Sequence, residues 1–389
     1  MAHLARPLKI IKSLEASEFD IALAADLKYQ NLIESIGIVF QPLASIPAEL
    51  FSDIVDKANP IYSESVFNSH IDEDLKIIEK VKPDIVVGDF RHSLSVSCRL
   101  SKVKYVNITN AYWSPEIVSR FPIPEAPAVR ILGERFIKLF CMPFVPIIIK
   151  FNFFNMAFLV RKSTARIGLK FNDYRNIITD GDVILFCDTP ELVPLKQNKP
   201  NQFYIGPLIW SMPCEFPAWW PTLAPNKKKI LVSLGSSGNL DVLPVIIAGL
   251  RSLGEDIHII VTLSGKKNNL PAFPNVHTVD FLPFDNLEKE FALVIGNGGS
   301  PICHASLSWG TPCIGIIFNN DQLLNMIHVQ NRGAGVLLRF WNLTAEIIKS
   351  TVEHIFSSES YSRSAKSLKK EFENYDLGKI VKKIVTENT

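Results

Sequence analysis

The chain has 389 residues, and 41 Lys+Arg against 39 Asp+Glu leave a net charge of +2. With 47% apolar and 21% charged residues, it is neither an intrinsically disordered nor a collagen-like chain. The near-neutral balance carries no electrostatic footprint for nucleic acid, and the length favours two domains over one. In chain order, the first half gives a helical pattern from the N-terminus, then short strand-like runs at 19–22, 38–40, 85–87, 105–108 and 183–186. Residues 136–160 are the most apolar stretch. Lys138, Pro143, Pro146 and Lys150 break it into runs well short of the ~20 residues that a membrane span needs. Buried helices around an apolar pocket are the first reading of this stretch, and a surface in peripheral contact with lipid or a greasy acceptor is the second.

Pro- and Trp-rich residues 209–228 show neither helical nor strand periodicity and read as an interdomain linker. Beyond it, apolar runs at 230–234, 257–262, 276–281, 293–296 and 313–318 read as buried parallel strands, with helix patterns at 241–253, at 301–309 and after Asp321. The expected organisation is an N-terminal domain at 1–208, the linker at 209–228, a C-terminal domain at 229–365 and a helical tail at 366–389. The six cysteines are scattered without a disulfide or zinc spacing, so free thiols in a reducing, cytoplasmic setting are expected, and no secretion signal pattern opens the chain. Asp72-Glu73-Asp74 and Asp180-Gly181-Asp182 read as a helix start and a turn, and no metal site is expected.

The informative block runs from Gly296 to Gln322. A strand ends in Asn297-Gly298-Gly299, and a helix begins at Ser300-Pro301. Glycines let a backbone approach a ligand closely, and the unpaired N–H groups of a first helical turn suit a phosphate. Pro301 fits there because its missing N–H would be unsatisfied in any case.

Gly298-Gly299-Ser300, Gly310-Thr311-Pro312 and Asp321-Gln322-Leu323-Leu324-Asn325 together resemble the signature of nucleotide-sugar-dependent glycosyltransferases of the GT-B fold, in particular the bacterial branch acting on macrolides, flavonoids and other small hydrophobic acceptors. Leu234-Gly235-Ser236-Ser237-Gly238 resembles that family's loop after the first donor-domain strand. Tyr204-Ile205-Gly206-Pro207 with Trp219-Trp220 resembles its linker, and 83–90 its acceptor-domain strand. The resemblance implies an α/β fold of two Rossmann-like doubly wound parallel-sheet domains facing a cleft. It also implies inverting transfer of a hexosyl group from a UDP- or dTDP-sugar to a hydroxyl of a small hydrophobic acceptor. No cofactor is required; the nucleotide sugar is a substrate.

The same resemblance gives roles. Gly235, Ser236, Asn297, Gly298, Gly299 and Ser300 would hold the diphosphate, Leu282 and Pro283 would pack on the base, and Asp321 and Gln322 would bond the sugar hydroxyls. His3 would be the catalytic base and Asp89 the carboxylate that orients it. Tyr112 and Trp113 either line the acceptor pocket or are core aromatics. Three departures accompany the likeness: Asn297 stands where the family usually has His, Pro301-Ile302 replaces a small Gly-Thr, and the family's first strand and Gly-rich loop have no counterpart ahead of His3. Two alternatives remain: an epimerase or hydrolase on the same scaffold, and a catalytically impaired nucleotide-sugar-binding remnant.

Overall fold

The computed structural model describes residues 2–14, 18–45, 62–118, 122–235, 238–267, 270–287 and 290–388. The chain forms two compact units. One comprises Ala2–Ile123, Arg135–Gly206 and the C-terminal segment from Tyr375; the other comprises Pro124–Glu134 and Pro207–Asn374. The chain therefore passes between units four times. Two short pieces lie apart from the expected bounds: 124–134 groups with the C-terminal unit, and the tail divides at Asn374.

In the C-terminal unit six parallel strands form one sheet. They are β7 (Lys228–Ser233), β8 (Ile257–Thr262), β9 (Val276–Val279), β10 (Leu293–Gly296), β11 (Cys313–Ile317) and β12 (Gly335–Arg339), in the order β12-β11-β10-β7-β8-β9. β8, β10 and β11 are buried at every position. Helices on both faces explain this pattern, since a parallel strand covered on two sides has no polar side to present. The core gathers Ile230, Val232, Ile259, Val261, Leu293, Ile295, Ile314 and Ile316 with Ile246, Ile247 and Leu250 of the helix Leu243–Arg251 and Ile348 and Val352 of the helix Ala345–Ser357. Gly249 lets these two helices approach: a Cβ there would lie 2.6 Å from the Ala345 carbonyl oxygen. The linker packs on this unit, with Trp219 stacked on His277 and Trp220 against Phe216 and Phe291.

The N-terminal unit is built differently. β1 (Ala22–Ala25) and β2 (Val39–Pro42) pair only with each other among the described residues, while β3 (Ile85–Asp89), β4 (Lys104–Thr109), β5 (Val183–Phe186) and β6 (Gln202–Tyr204) form a separate four-stranded parallel sheet. Side chains, not a backbone ladder, connect the two. Lys80 Nζ donates to Gln41 Oε1 at 2.8 Å, the Ala44 N–H donates to Glu73 at 2.9 Å, and Arg91 Nη1 donates to the Ala44 carbonyl at 2.6 Å. Arg91 also pairs with Asp74 and Glu73 on the helix Glu64–Val81. β3, at the edge of the larger sheet, leaves Val87 37% exposed, which a strand paired and covered on both sides would not show.

Residues 134–156 fold as a helical turn Glu134–Phe136, a π-type turn Ile137–Cys141 and a helix Val145–Met156, followed by Phe158–Ala165. Val145, Ile149 and Met156 face inward. The outer side chains of the same helices are exposed, so only one stripe of the apolar stretch is buried. No helix among the described residues is long and apolar enough to cross a membrane.

Candidate active site

The diphosphate candidates lie at the carboxyl ends of β7 and β10, adjacent in the sheet, where ligands bind open parallel sheets. After Gly296 the chain turns through Asn297 and Gly298 into the helix Ser300–Ser308. Gly298 has φ +74°, and a Cβ on it would sit 2.8 Å from Met326 Cγ and 3.0 Å from Ile317 Cγ2. Both the left-handed backbone and the lack of room exclude a side chain. The turn is fixed from two sides. Asn297 Oδ1 accepts from the Gly299 N–H at 3.1 Å, and Nδ2 of the buried Asn325 donates to the Gly298 carbonyl at 2.8 Å. Gly299 is the N-cap in an extended conformation and offers no side-chain cap, while Pro301 occupies the first helical turn. Helix first turns of this kind commonly receive anions.

The loop after β7 faces this turn. Gly235 has φ +66°, and a Cβ on it would lie 3.6 Å from Asn297 Nδ2. Lys266 fixes the far side of that loop by donating to the Gly238 carbonyl at 2.8 Å. Ser236 lies outside the described residues. The structure therefore brings Gly235, Asn297, Gly298, Gly299 and Ser300 together.

Leu282 and Pro283 are both buried, immediately before the turn Phe284–Asn286. Asp321 lies half-buried in the first turn of the helix Asn320–Asn331. Gln322 is buried, and its Oε1 accepts from the Phe318 N–H at 2.7 Å while its own N–H donates to Asn319 Oδ1. Its carbonyl oxygen thus holds the β11-to-helix turn that positions Asp321. A carboxylate next to that turn was legible; the internal task of the amide was not.

Asn320 makes a contact that the sequence did not reveal. Its Oδ1 accepts from the Glu125 N–H at 2.8 Å, on the short segment that joins this unit from the first half of the chain. The Glu125 carboxylate, nearly inaccessible to solvent, pairs with Arg339 Nη1 at 2.5 Å and accepts from Trp341 Nε1 at 2.8 Å and Arg130 Nε at 3.1 Å.

In the N-terminal unit a second polar group sits at the carboxyl ends of β3, β4 and β5. Asp89 ends β3, with its side chain 1% exposed, and lies 3.5 Å from Arg6 Nη1 on the helix Ala2–Ser13. Arg6 also donates to Asn110 Oδ1, and Asn110 Nδ2 donates to Asp188 at 3.1 Å. Asp188 further accepts from the Ala111 N–H at 2.6 Å. Burial opposes the Arg6 charge, yet Asp89, with smaller contributions from Cys187, Tyr112 and Asp188, raises its pKa. His3 lies in the helix Ala2–Ser13, with its side chain outside the described residues. Arg6, Asn110 and Asp188 escaped sequence reasoning because one charged residue on a helix and two polar residues after separate strands have no joint spacing to read.

Tyr112 and Trp113 are both buried. Trp113 meets Phe153 and Tyr174 edge-on, with centroids 6.2 and 6.1 Å away. The structure thus places them in the core beneath the helix Val145–Met156, the second of the two expected readings.

The chain is similar to known glycosyl-transferring proteins. It is 34% identical over 96% of its length, and 86% of the relative's, to a PGL/p-HBAD biosynthesis glycosyltransferase of Mycobacterium tuberculosis (strain ATCC 25177 / H37Ra). It is 33% identical over 95% of its length, and 81% of the relative's, to a PGL/p-HBAD biosynthesis rhamnosyltransferase of Mycobacterium bovis (strain BCG / Pasteur 1173P2). The chain belongs to this glycosyltransferase family. Residues 248–385 match the model of the erythromycin biosynthesis protein CIII-like C-terminal domain. Among solved structures, the spinosyn rhamnosyltransferase SpnG superposes with a TM-score of 0.70 at 15% identity, covering 99% of this chain and 96% of that one. The glycosyltransferase VinC in complex with dTDP gives 0.69 at 16% identity, covering 99% and 96%. These likenesses establish the GT-B fold, and this glycosyltransferase is an enzyme of the two-domain α/β type.

Proposed function

We propose that this glycosyltransferase moves a hexosyl group, with inversion, from a UDP- or dTDP-linked sugar to a hydroxyl of a small hydrophobic acceptor. The observation that carries the reading is the turn at Gly298, where a left-handed backbone without room for a Cβ leads into a helix start that lacks a side-chain cap. Backbone N–H groups there suit the donor diphosphate in the ground state and the greater charge of the leaving nucleotide. Names of structural neighbours support the donor class: one SpnG structure is complexed with thymidine diphosphate and another with spinosyn aglycone.

In this scheme the acceptor oxygen forms a bond to the anomeric carbon while the bond from that carbon to the phosphate oxygen breaks. The nucleoside diphosphate leaves with the electron pair, and the acceptor proton passes to the His3 imidazole. Asp89 orients that imidazole and stabilises its cation. Because Arg6 also faces Asp89, the carboxylate serves two cations, and Arg6 with Asn110 holds it in one place. Asp321, held by the turn that Gln322 stabilises, accepts from the sugar hydroxyls. No step requires a metal ion, and the free thiols fit a reducing, cytoplasmic setting.

Calorimetry with UDP, dTDP and their hexoses, followed by mass spectrometry of mixtures with phenolic acceptors, tests the reading. Micromolar uptake of one nucleotide and an acceptor gaining one hexosyl mass are expected. Folded protein that takes up neither nucleotide overturns it. Nucleotide binding with sugar release to water but no acceptor product would favour the hydrolase alternative.

A further inference from the structure

The helix Val145–Met156 carries apolar side chains on its outer as well as its inner side, with Lys150, Asn152 and Asn155 its polar residues. A helix at a water-facing surface ordinarily carries one apolar stripe and one polar face. Here Val145, Ile149 and Met156 fill the inner stripe, yet Phe144, Ile147, Ile148, Phe151 and Phe154 stand exposed on the outside, with Ile147 at 65% and Phe151 at 67%. The preceding turns add Leu139 at 74% and the exposed rings of Phe136 and Phe140, which pack on each other with centroids 4.9 Å apart. Together these side chains present apolar surface on the order of 1,000 Å², beyond the few hundred Å² that soluble monomers ordinarily show.

The charge around this surface is predominantly positive, and Glu134 at its edge pairs with Arg339. Residues 135–172 contain seven Lys or Arg and no Asp or Glu, in a chain whose net charge is only +2. Arg135, Lys138, Lys150 and Lys170 are exposed. Arg161 lies 4.2 Å from the centre of the Phe154 ring, and Lys162 and Arg166 share Glu64. We propose that this outer face docks on an anionic lipid bilayer, lying in the headgroup layer with its phenylalanines in the acyl boundary and its lysines at the phosphates.

Geometry and charge both favour that occupant. The helical stretches Glu134–Cys141 and Val145–Met156 meet at 102°, so the pair forms a shallow elbow instead of one straight span. A second copy seated face to face would set Arg135, Lys138, Lys150, Arg161 and Lys170 against the same five cations, with no carboxylate from residues 135–172 to answer them, a like-charge arrangement that opposes association. An anionic membrane supplies the missing charge and accepts the apolar side chains at once. This inference does not depend on the identity of the donor.

Flotation of the intact chain with vesicles of phosphatidylcholine alone, or with roughly a third phosphatidylglycerol, tests it. Binding to the anionic vesicles that weakens with salt is expected. Lys138→Gln with Lys150→Gln should lower the affinity at least tenfold, roughly fivefold per removed charge. Phe144→Ser with Ile147→Ser and Phe151→Ser should abolish vesicle binding and leave the melting temperature and UDP or dTDP affinity unchanged. Failure to float with either vesicle, or undiminished flotation of the triple variant, overturns the proposal. A concentration-dependent dimer dispersed by the triple variant overturns it too, by assigning the face to a second copy. Nucleotide affinity measured on the same samples keeps failure of the membrane reading separate from failure of the donor reading.

Discussion

The two units solve the same packing problem in different ways. The C-terminal unit carries six parallel strands in one continuous ladder, with both faces covered. Among its described residues the N-terminal unit divides six strands into a pair and a foursome, and links them through Lys80, Glu73 and Arg91. A continuous sheet buries its polar backbone by pairing it, whereas a divided one relies on side-chain hydrogen bonds that contribute about 1 kcal/mol each.

The largest expected effect tests how firmly the segment around Glu125 belongs to the C-terminal frame. Glu125→Ala would leave Arg339 buried beside an absent carboxylate and should cost that unit about 3–5 kcal/mol, read by urea unfolding. A loss below about 1 kcal/mol would show that the segment adds little to it. Next, Gly298→Ala should destabilise by about 2–3 kcal/mol, from the left-handed backbone and overpacking against Met326, and should weaken nucleotide binding. Unchanged calorimetric affinity would place the diphosphate elsewhere.

A gap of about 2 kcal/mol in local opening should separate the frames in hydrogen exchange, with amides of β8 outlasting those of β1. Equal protection would show the divided sheet to be as firm as the continuous one. The smallest effect concerns pH. Burial, aided by Arg91, lowers the His70 pKa to about 4. Since the ordinary value is near 6.5, the unfolded chain takes up the proton first, so stability is full above pH 6.5 and falls as the pH drops towards 4. With allowance for partial solvation the loss is roughly 1–2 kcal/mol, and His70→Phe should flatten that slope in melting scans.

What the sequence disclosed follows the same division. Buried parallel strands read as unbroken apolar runs, so β8 and β10 were bounded as observed and β7, β9 and β11 within a few residues. In the N-terminal half β1 falls at Ala22–Ala25 and not at 19–22, because alanine favours helices and lends a strand no pattern. β6 and β12 were not marked. Gln202-Phe203-Tyr204 is too short to alternate, and the run Gly335–Arg339 is short and opens on a glycine. The glycine turn was legible because its geometry demands a residue type. The Arg6–Asp89–Asn110–Asp188 group was not, since its members meet only through tertiary folding.

The carboxylate of Glu125 has a consequence for anyone recombining such enzymes. A chimera with a single crossover near Pro207 would inherit residues 124–134 from one parent and the buried guanidinium of Arg339 from the other. Functional hybrids should therefore require a second exchange that carries this eleven-residue staple with its host.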